Sequence, residues 1–385
     1  MIVLNNVRLI DGNGPVSVQI IDNKITKVFN DTAPDKTDAL QLTFDNALIF
    51  PGLINSHDHL DFNLFPALGN KIYNSYTEWG KYIHENYKNE ISKVLKVPVL
   101  LREQWGILKN LLCGVTTVVN HGEKLKTTDT LISVHEQYYC LHSVQFEKKW
   151  RLKLNHPFKR KFPVVIHIGE GNDQASYHEI DQLIYWNFLQ KTLVGIHAVA
   201  MSDKQAKKFK AIVWCPQSNF FLLDKTARIE DLKKQTNILF GTDSTLTGSW
   251  NIWEHICAAR KTAMLTDTEL YNSLHVNASN TWKLNNKEIK SDQDADIVVA
   301  AIKNGATGMD AFFSISPKDI LLVTHQGNIR LFDASIYNQL AKTDLSNFSK
   351  IYIDGIGKYV QSDVPALIKH IRKYYPAARF PVTIN

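Results

Sequence analysis

Four histidines and two carboxylates stand at the ends of apolar runs, where they could share one reaction. "NSHDHL" (55–60) carries His57 and His59 one residue apart, directly after the apolar run 47–54. "VVIHIGEG" reaches His167 and then turns through Gly169 and Gly171 around Glu170, "LVGIH" closes on His197, and "NILFGTDS" closes on Asp243. In a strand, residues i and i+2 point to the same side, so His57 and His59 can present both imidazoles to one point. Alone the pair proves little, because a hydrogen-bonded core histidine is the commoner use. Their company shifts the balance. Each polar group sits near the carboxyl end of a separate strand, and in a barrel of parallel strands those ends converge on the face that carries active sites. Burying six such groups there without a shared purpose is costly in desolvation.

Three neutral imidazoles and one carboxylate make a ligand set suited to zinc or ferrous iron, and the lack of nearby thiolates argues against a closed structural zinc site. A metal lowers the pKa of a coordinated water towards neutrality and so makes a nucleophile. Asp243 can take that water's proton while coordinating, and Glu170 can carry a proton to or from a substrate.

The elements that must position these groups follow from the hydrophobic patterning. Leu101, Trp105, Leu108 and Leu112 recur at helical spacing, Gly114 can cap that helix, and "VTTVVN" from 115 follows as a buried strand. Ser176 with Glu179 has the spacing of a capping box before Ile180, Leu183 and Ile184, and "TLVGIH" is the next strand. Ser202 with Gln205 opens a shorter helix, followed by "AIVWC" and, past "RIEDLKKQ", by "NILFG". This alternation is the pattern of a parallel sheet with crossover helices. The first fifty residues differ: "VSVQI" alternates, Asp22-Asn23 supplies a turn, and "KITKVF" returns. "ADIVVAAI", "ILLVTHQGNIRLF" and "KIYIDGIGKYV" have the same texture near the other end. The expected architecture is an α/β (β/α)8 TIM-like barrel over 51–289, with a small β-sandwich formed by 1–50 and 290–385 and a C-terminal helical tail. A barrel unit takes about 30 residues, yet two units must fit between Glu123 and Pro163. The barrel is therefore expected to be irregular there, with "LISVH" and "YYCLHSV" as weak strands.

At 385 residues, 44% apolar and 21% charged, the chain has room for a sizeable core and lacks the composition of disordered, collagenous or coiled-coil proteins. The net charge of +6 is spread out; "HPFKRKF" (156–162) and "DKQAKKFK" are short and carry no nucleic-acid motif. Cys113, Cys140, Cys215 and Cys257 form no C-x-x-C pair, which fits a reducing cytoplasm. No export signal and no apolar run of membrane-spanning length is present. The expected partner is a small molecule, with neither nucleic acid nor membrane.

In order along the chain, "PGLINSHDHL", "HIGE", "GIH", "VWCPQSN" and "FGTDS" resemble the successive strand-end motifs of the amidohydrolase superfamily, in particular its cytosine and guanine deaminases and triazine chlorohydrolases. "DADIVVA" and "IDGIGKYV" resemble the stretches that complete that family's small β-sandwich, while 60–110 and 123–162 match loosely. The resemblance implies that His57, His59, His167 and Asp243 bind the metal. It places His197 beside the metal, bonded to the hydroxide or substrate, and makes Glu170 the proton shuttle. Strict strand geometry would send Glu170, three residues past His167, to the opposite face, whereas glycine turns can bring it back. A homo-oligomer is implied as well, with no motif here to demonstrate an interface. The family's binuclear members use a carboxylated lysine before the third histidine. Lys153 lies too close to His167 for an intervening helix and strand, so one metal is expected, zinc before ferrous iron.

Other residues carry two readings each. His121 in "VVNHGE" is a candidate for substrate contact or a buried structural histidine, and Asn219 for substrate contact or for orienting its loop. Cys215 has no local base motif and reads as a small buried hydrophobe. Phe62 to Tyr82 is rich in aromatics that either cover the pocket, with Trp79 stacking on a planar substrate, or pack a helix. The leading function is hydrolytic deamination of an aminated heterocycle. Amide or cyclic-amide hydrolysis, or dechlorination, is the alternative, and a catalytically silent metal-binding relative is the third reading.

Overall fold

The computed structural model describes residues 1–12, 14–30, 39–127, 131–157, 161–303 and 305–384; residues 158–160 of the basic stretch lie outside these. The strands run in three groups. The first group is β1 (Ile2–Leu9), β2 (Pro15–Ile21), β3 (Lys24–Phe29) and β4 (Leu40–Pro51). The middle of the chain gives β5 (Leu53–Asp58), β6 (Val115–Asn120), β7 (Ser133–His135), β8 (Tyr139–Ser143), β9 (Val164–Ile168), β10 (Leu193–His197), β11 (Ala211–Trp214) and β12 (Asn237–Phe240). The last group is β13 (Ile297–Ala301), β14 (Ile320–His325), β15 (Asn328–Asp333), β16 (Ser349–Ile353) and β17 (Ile356–Val360).

The first and last groups form a single nine-stranded sheet in the order β16-β17-β15-β14-β13-β4-β1-β2-β3. Its alternating apolar residues, among them Leu4, Val18, Leu42, Ile297, Leu322 and Phe332, make a core of their own. The middle strands are parallel and form two arcs in chain order, β5-β6-β7 and β8-β9-β10-β11-β12. β5, β6, β9, β10 and β11 are buried at every position, as parallel strands covered on both faces must be. Ile54 and Val119 of the first arc meet Val165, Val194, Val213 and Leu239 of the second in one apolar cluster. At the carboxyl ends, Thr242 and Asp243 donate their backbone N–H groups to His57 O at 3.0 and 3.1 Å, which ties the end of β12 to β5.

Two helices, α1 (Tyr76–Asn86) and α2 (Lys88–Leu95), follow β5, and α3 (Val99–Leu112) leads into β6. Trp105, Leu108 and Leu112 are buried on α3 as their spacing requires, and Gly114 leaves the helix at φ +80. One reading of the sequence needs correction. Ser176 lies inside the helix Gln174–Trp186, whose N-cap is Asp173, with its side chain accepting from Ser176 N. Asp173 is the earlier Asx residue and captures the helix end first. Glu179 instead accepts the Gly169 N–H at 2.7 Å. The expected irregularity lies where predicted: β7 and β8 are joined by 136–138 without a crossover helix and belong to different arcs. Among the described residues, no helix is long and apolar enough to cross a membrane.

Candidate metal centre and active site

Burial at the carboxyl ends of β5, β9, β10 and β12 brings the marked residues together. His167 Nε2 lies 3.3 Å from both His57 Nε2 and His59 Nε2, and Asp243 Oδ1 lies 3.7 and 3.6 Å from those two nitrogens. Donors about 2.0–2.2 Å from a tetrahedral zinc are separated by about 3.4 Å, so the His57, His59 and His167 group is compact enough for such an ion, with Asp243 Oδ1 beside two of its three nitrogens. A second grouping, His57, His197 and Asp243, has donors close enough to share a cation as well.

Proton placement separates the two groupings. His167 Nδ1 donates to His142 O at 2.8 Å, which leaves its Nε2 lone pair aimed at His57 and His59. The Asn219 amide donates to His197 Nδ1 at 3.0 Å, while Asn219 Oδ1 accepts from Thr226. His197 therefore carries its proton on Nε2, which points at Glu170 Oε2 (3.5 Å) and Asp243 Oδ2 (4.0 Å). In this arrangement His167 Nε2 offers a lone pair and His197 Nε2 a proton.

The charge states fit a cation. Burial lowers His59 to about 4, helped by repulsion from His57. Burial also puts His167 well below its ordinary value, with His121 and His57 adding to the effect, and brings His197 to about 3. Burial works to raise Asp243, but its interactions with His57, His59 and His197 outweigh that and hold it well below the usual carboxylate range. Ser218 and Thr247 hydroxyls donate to its Oδ2 at 2.8 and 3.1 Å. A buried anion among neutral imidazole lone pairs is unbalanced, and a divalent cation balances it. Glu170 is driven the other way: burial, then the charges of Asp243 and Glu179, raise it well above its ordinary value. A carboxyl raised in this way is suited to holding a proton that a carboxylate in water would lose.

The turn that aims Glu170 is built as its glycines imply. Gly169 adopts φ +63, and a Cβ on Gly171 would sit 2.1 Å from Ser176 Oγ. Tyr76 N donates to Glu170 O at 3.0 Å, so the turn is bonded to the start of α1. Glu179 anchors the turn from below and is raised to about 7, chiefly by burial. Its folded pKa exceeds the ordinary 4.5, so between those pH values the native state binds the extra proton and stability falls as pH rises. Replacing Glu179 by Gln should remove about 3 kcal/mol of pH-dependent loss between pH 4.5 and 7. Denaturant titrations at pH 4.5 and 8 on both proteins check this; parallel pH profiles would reject it.

A cavity of about 530 Å³ opens onto Glu170, His197, Asp243, His59 and His167 and extends to Trp79 and the α1–α2 pair. Trp79 therefore lines the cavity, with its Nε1 donating to Leu68 O. Trp79→Ala should raise the apparent KM about tenfold through lost ring contact, with bound metal intact; unchanged steady-state kinetics would remove Trp79 from the site. Asn219 is fully buried behind His197 and does not line this cavity. His121 lines a separate cavity with Cys140, Glu147 and Lys153, its ring 4.2 Å from that of His167. Cys215 is buried, and burial raises its thiol well above the ordinary range. Lys153 is paired with Glu147 at 2.7 Å in that second cavity, so metal analysis of the purified chain should give one ion; a stoichiometric second ion would overturn this.

Sequence reasoning missed three supporting residues. His142 orients His167 through its carbonyl, Glu179 holds the Gly169 turn, and Lys109 pairs with Asp58 at 2.9 Å.

No protein-family model and no curated relative matches the sequence. Solved structures share the fold. An adenosine deaminase from Xanthomonas campestris with bound zinc aligns over 98% of both chains at TM-score 0.70 and 13% identity. The zinc-complexed atrazine chlorohydrolase from Arthrobacter aurescens aligns over 98% of this chain and all of its own at TM-score 0.70 and 14% identity. Helicobacter pylori aminofutalosine deaminase, in complex with methylthio-coformycin, aligns over 86% and 100% at TM-score 0.66 and 14% identity. The class is thus a mixed α/β fold with parallel-strand sheets. More narrowly, these neighbours are amidohydrolase superfamily members, and the chain has their fold.

Proposed function

We propose that the chain is a metal-dependent hydrolase that deaminates an aminated heterocycle. The observation that carries this reading is the buried Glu170 carboxyl 3.5 Å from the donor nitrogen of His197, in the wall of one cavity with Asp243, the two carboxyls driven in opposite directions by their surroundings. His57, His59, His167 and Asp243 would hold one divalent cation, zinc before ferrous iron. Such a cation supplies hydroxide near neutral pH. Asp243 accepts the water's proton, and Glu170 delivers one to the ring nitrogen beside the attacked sp² carbon, which needs it as aromaticity breaks. His197 Nε2–H donates to the oxygen that the carbon gains, and Asn219 holds it in the tautomer that can do so. As the C–N bond breaks, Asp243 passes the water's first proton to the amino group, which leaves as ammonia, and the hydroxyl proton returns to Glu170. Expulsion of chloride is the second reading, favoured by the chlorohydrolase among the fold neighbours.

The scaffold of this reading is a closed eight-stranded barrel, β5 to β12 within 51–289, and a β-sandwich from 1–50 and 290–385 with a helix over Val364–Tyr374. The chain-order arcs, their shared apolar cluster and the β12-to-β5 bonds support the barrel. Ammonia release by metal-loaded protein from pyrimidines, purines, pterins and triazines tests the function, with Glu170→Gln as control. No turnover of any heterocycle or amide by metal-replete protein would overturn it in favour of a silent relative.

A further inference from the structure

The proposed chemistry occupies one end of the 530 Å³ cavity, whose volume suits a drug-sized ligand. The other end is walled by Trp79, Ile83, Ile91, Leu95, Phe146 and Leu222. Polar handles there are already engaged elsewhere. Trp79 Nε1 donates to Leu68 O at 2.6 Å, Tyr76 OH to Glu179 at 3.4 Å, and the Thr77 hydroxyl is bonded to that of Ser75 at 2.8 Å. Among the described residues, no arginine, asparagine or glutamine lines the cavity, and the basic residues at this end, Lys81 and His84, are exposed at the rim. A sugar, phosphate or carboxylate seated against this wall would give up its hydration with no buried partner, only the solvated Lys81 and His84 at the rim. An apolar group would cover Leu95 and Phe146, which stand 50% and 51% exposed at the mouth.

We propose that this end is a specificity subsite for an uncharged alkyl or aryl arm on the substrate heterocycle, seated against Trp79, Ile83, Ile91 and Phe146. The inference rests on the heterocycle reading of the metal end and names the class of substituent that the ring carries. The apolar wall selects for the arm by area removed from water and against charge by desolvation.

The test measures binding apart from turnover. Calorimetry on metal-loaded protein compares aminopyrimidines bearing hydrogen, n-butyl or carboxypropyl at each free ring carbon in turn. The best butyl compound is expected to bind at least tenfold tighter than the bare ring and than its carboxypropyl counterpart. Leu95→Arg, at an exposed position that leaves the fold intact, is expected to shrink the butyl-to-carboxypropyl ratio below threefold. Absence of binding by every butyl compound, equal binding of the two arms, or a ratio unchanged by Leu95→Arg would overturn the subsite. Ammonia assays on the same compounds separate the two ideas. Butyl preference without ammonia release keeps the subsite and removes the deaminase reading, whereas equal release from all three arms does the reverse.

Discussion

Glu170→Gln is expected to lower kcat by about 10²–10⁴-fold, the usual worth of a positioned general acid, while leaving one metal ion per chain and a KM within a few-fold. The substitution keeps the side chain's shape and can still hydrogen-bond His197 Nε2, but an amide cannot release a proton to a ring nitrogen and recover one. The carboxyl is buried, and among the described residues no other carboxylic acid lining the cavity can replace it, since Asp243 is held ionised. The measurement is steady-state ammonia release with metal content determined on the same sample. A kcat within threefold of the parent would take the proton-carrying role away from Glu170.

The second large effect separates neighbours in the sequence. His57→Asn should lose bound metal and activity together, because His57 Nε2 closes the donor set with His167 and Asp243. Asp58→Asn should keep about one metal per folded chain, because Asp58 faces away, towards α3. It is not an inert control, however. Its carboxylate is fully buried, 2.9 Å from Lys109 Nζ, and accepts from Asn110 and Asn63 at 2.7 and 2.9 Å. Removing one partner of such a pair leaves a buried charge and costs about 3–5 kcal/mol. Asp58→Asn should therefore lower the denaturation midpoint sharply, and adding Lys109→Met should recover much of the loss. Metal loss from Asp58→Asn equal to that from His57→Asn, at matched folded fraction, would contradict this separation.

The strand-end histidines and Asp243 were legible because each closes an apolar run, and burial of a run fixes where its last polar residue goes. Glu170 was legible because its glycines permit the turn that its role demands. Lys109 was not: a lysine on an amphipathic helix reads as surface, and only the fold reveals a carboxylate fifty residues earlier beneath it. His142 was hidden because β8 is five residues long with mixed burial, too short for a period to show, and because the carbonyl that acts carries no residue identity. Asn219 was singled out for the wrong neighbour. The sequence marks a polar group near the site, but which atom its amide meets is set by β10 and the helix Pro216–Leu223 coming together. The capping error at Ser176 has a local cause, since two residues compete for one helix end and the earlier one won.

The place of β4 in the terminal sheet has a consequence for biosynthesis. β4 lies between β1 and β13, and its partner on one side follows it by about 250 residues. At about 5–20 residues per second, that edge stays open for on the order of 12–50 s while the rest of the chain is made. During that interval it presents unpaired backbone groups along an apolar strand, a template for pairing with other nascent chains. A ribosome stalled anywhere in the barrel would leave the first sheet half-built and adhesive, so completion of this fold depends on the last quarter of the chain arriving promptly.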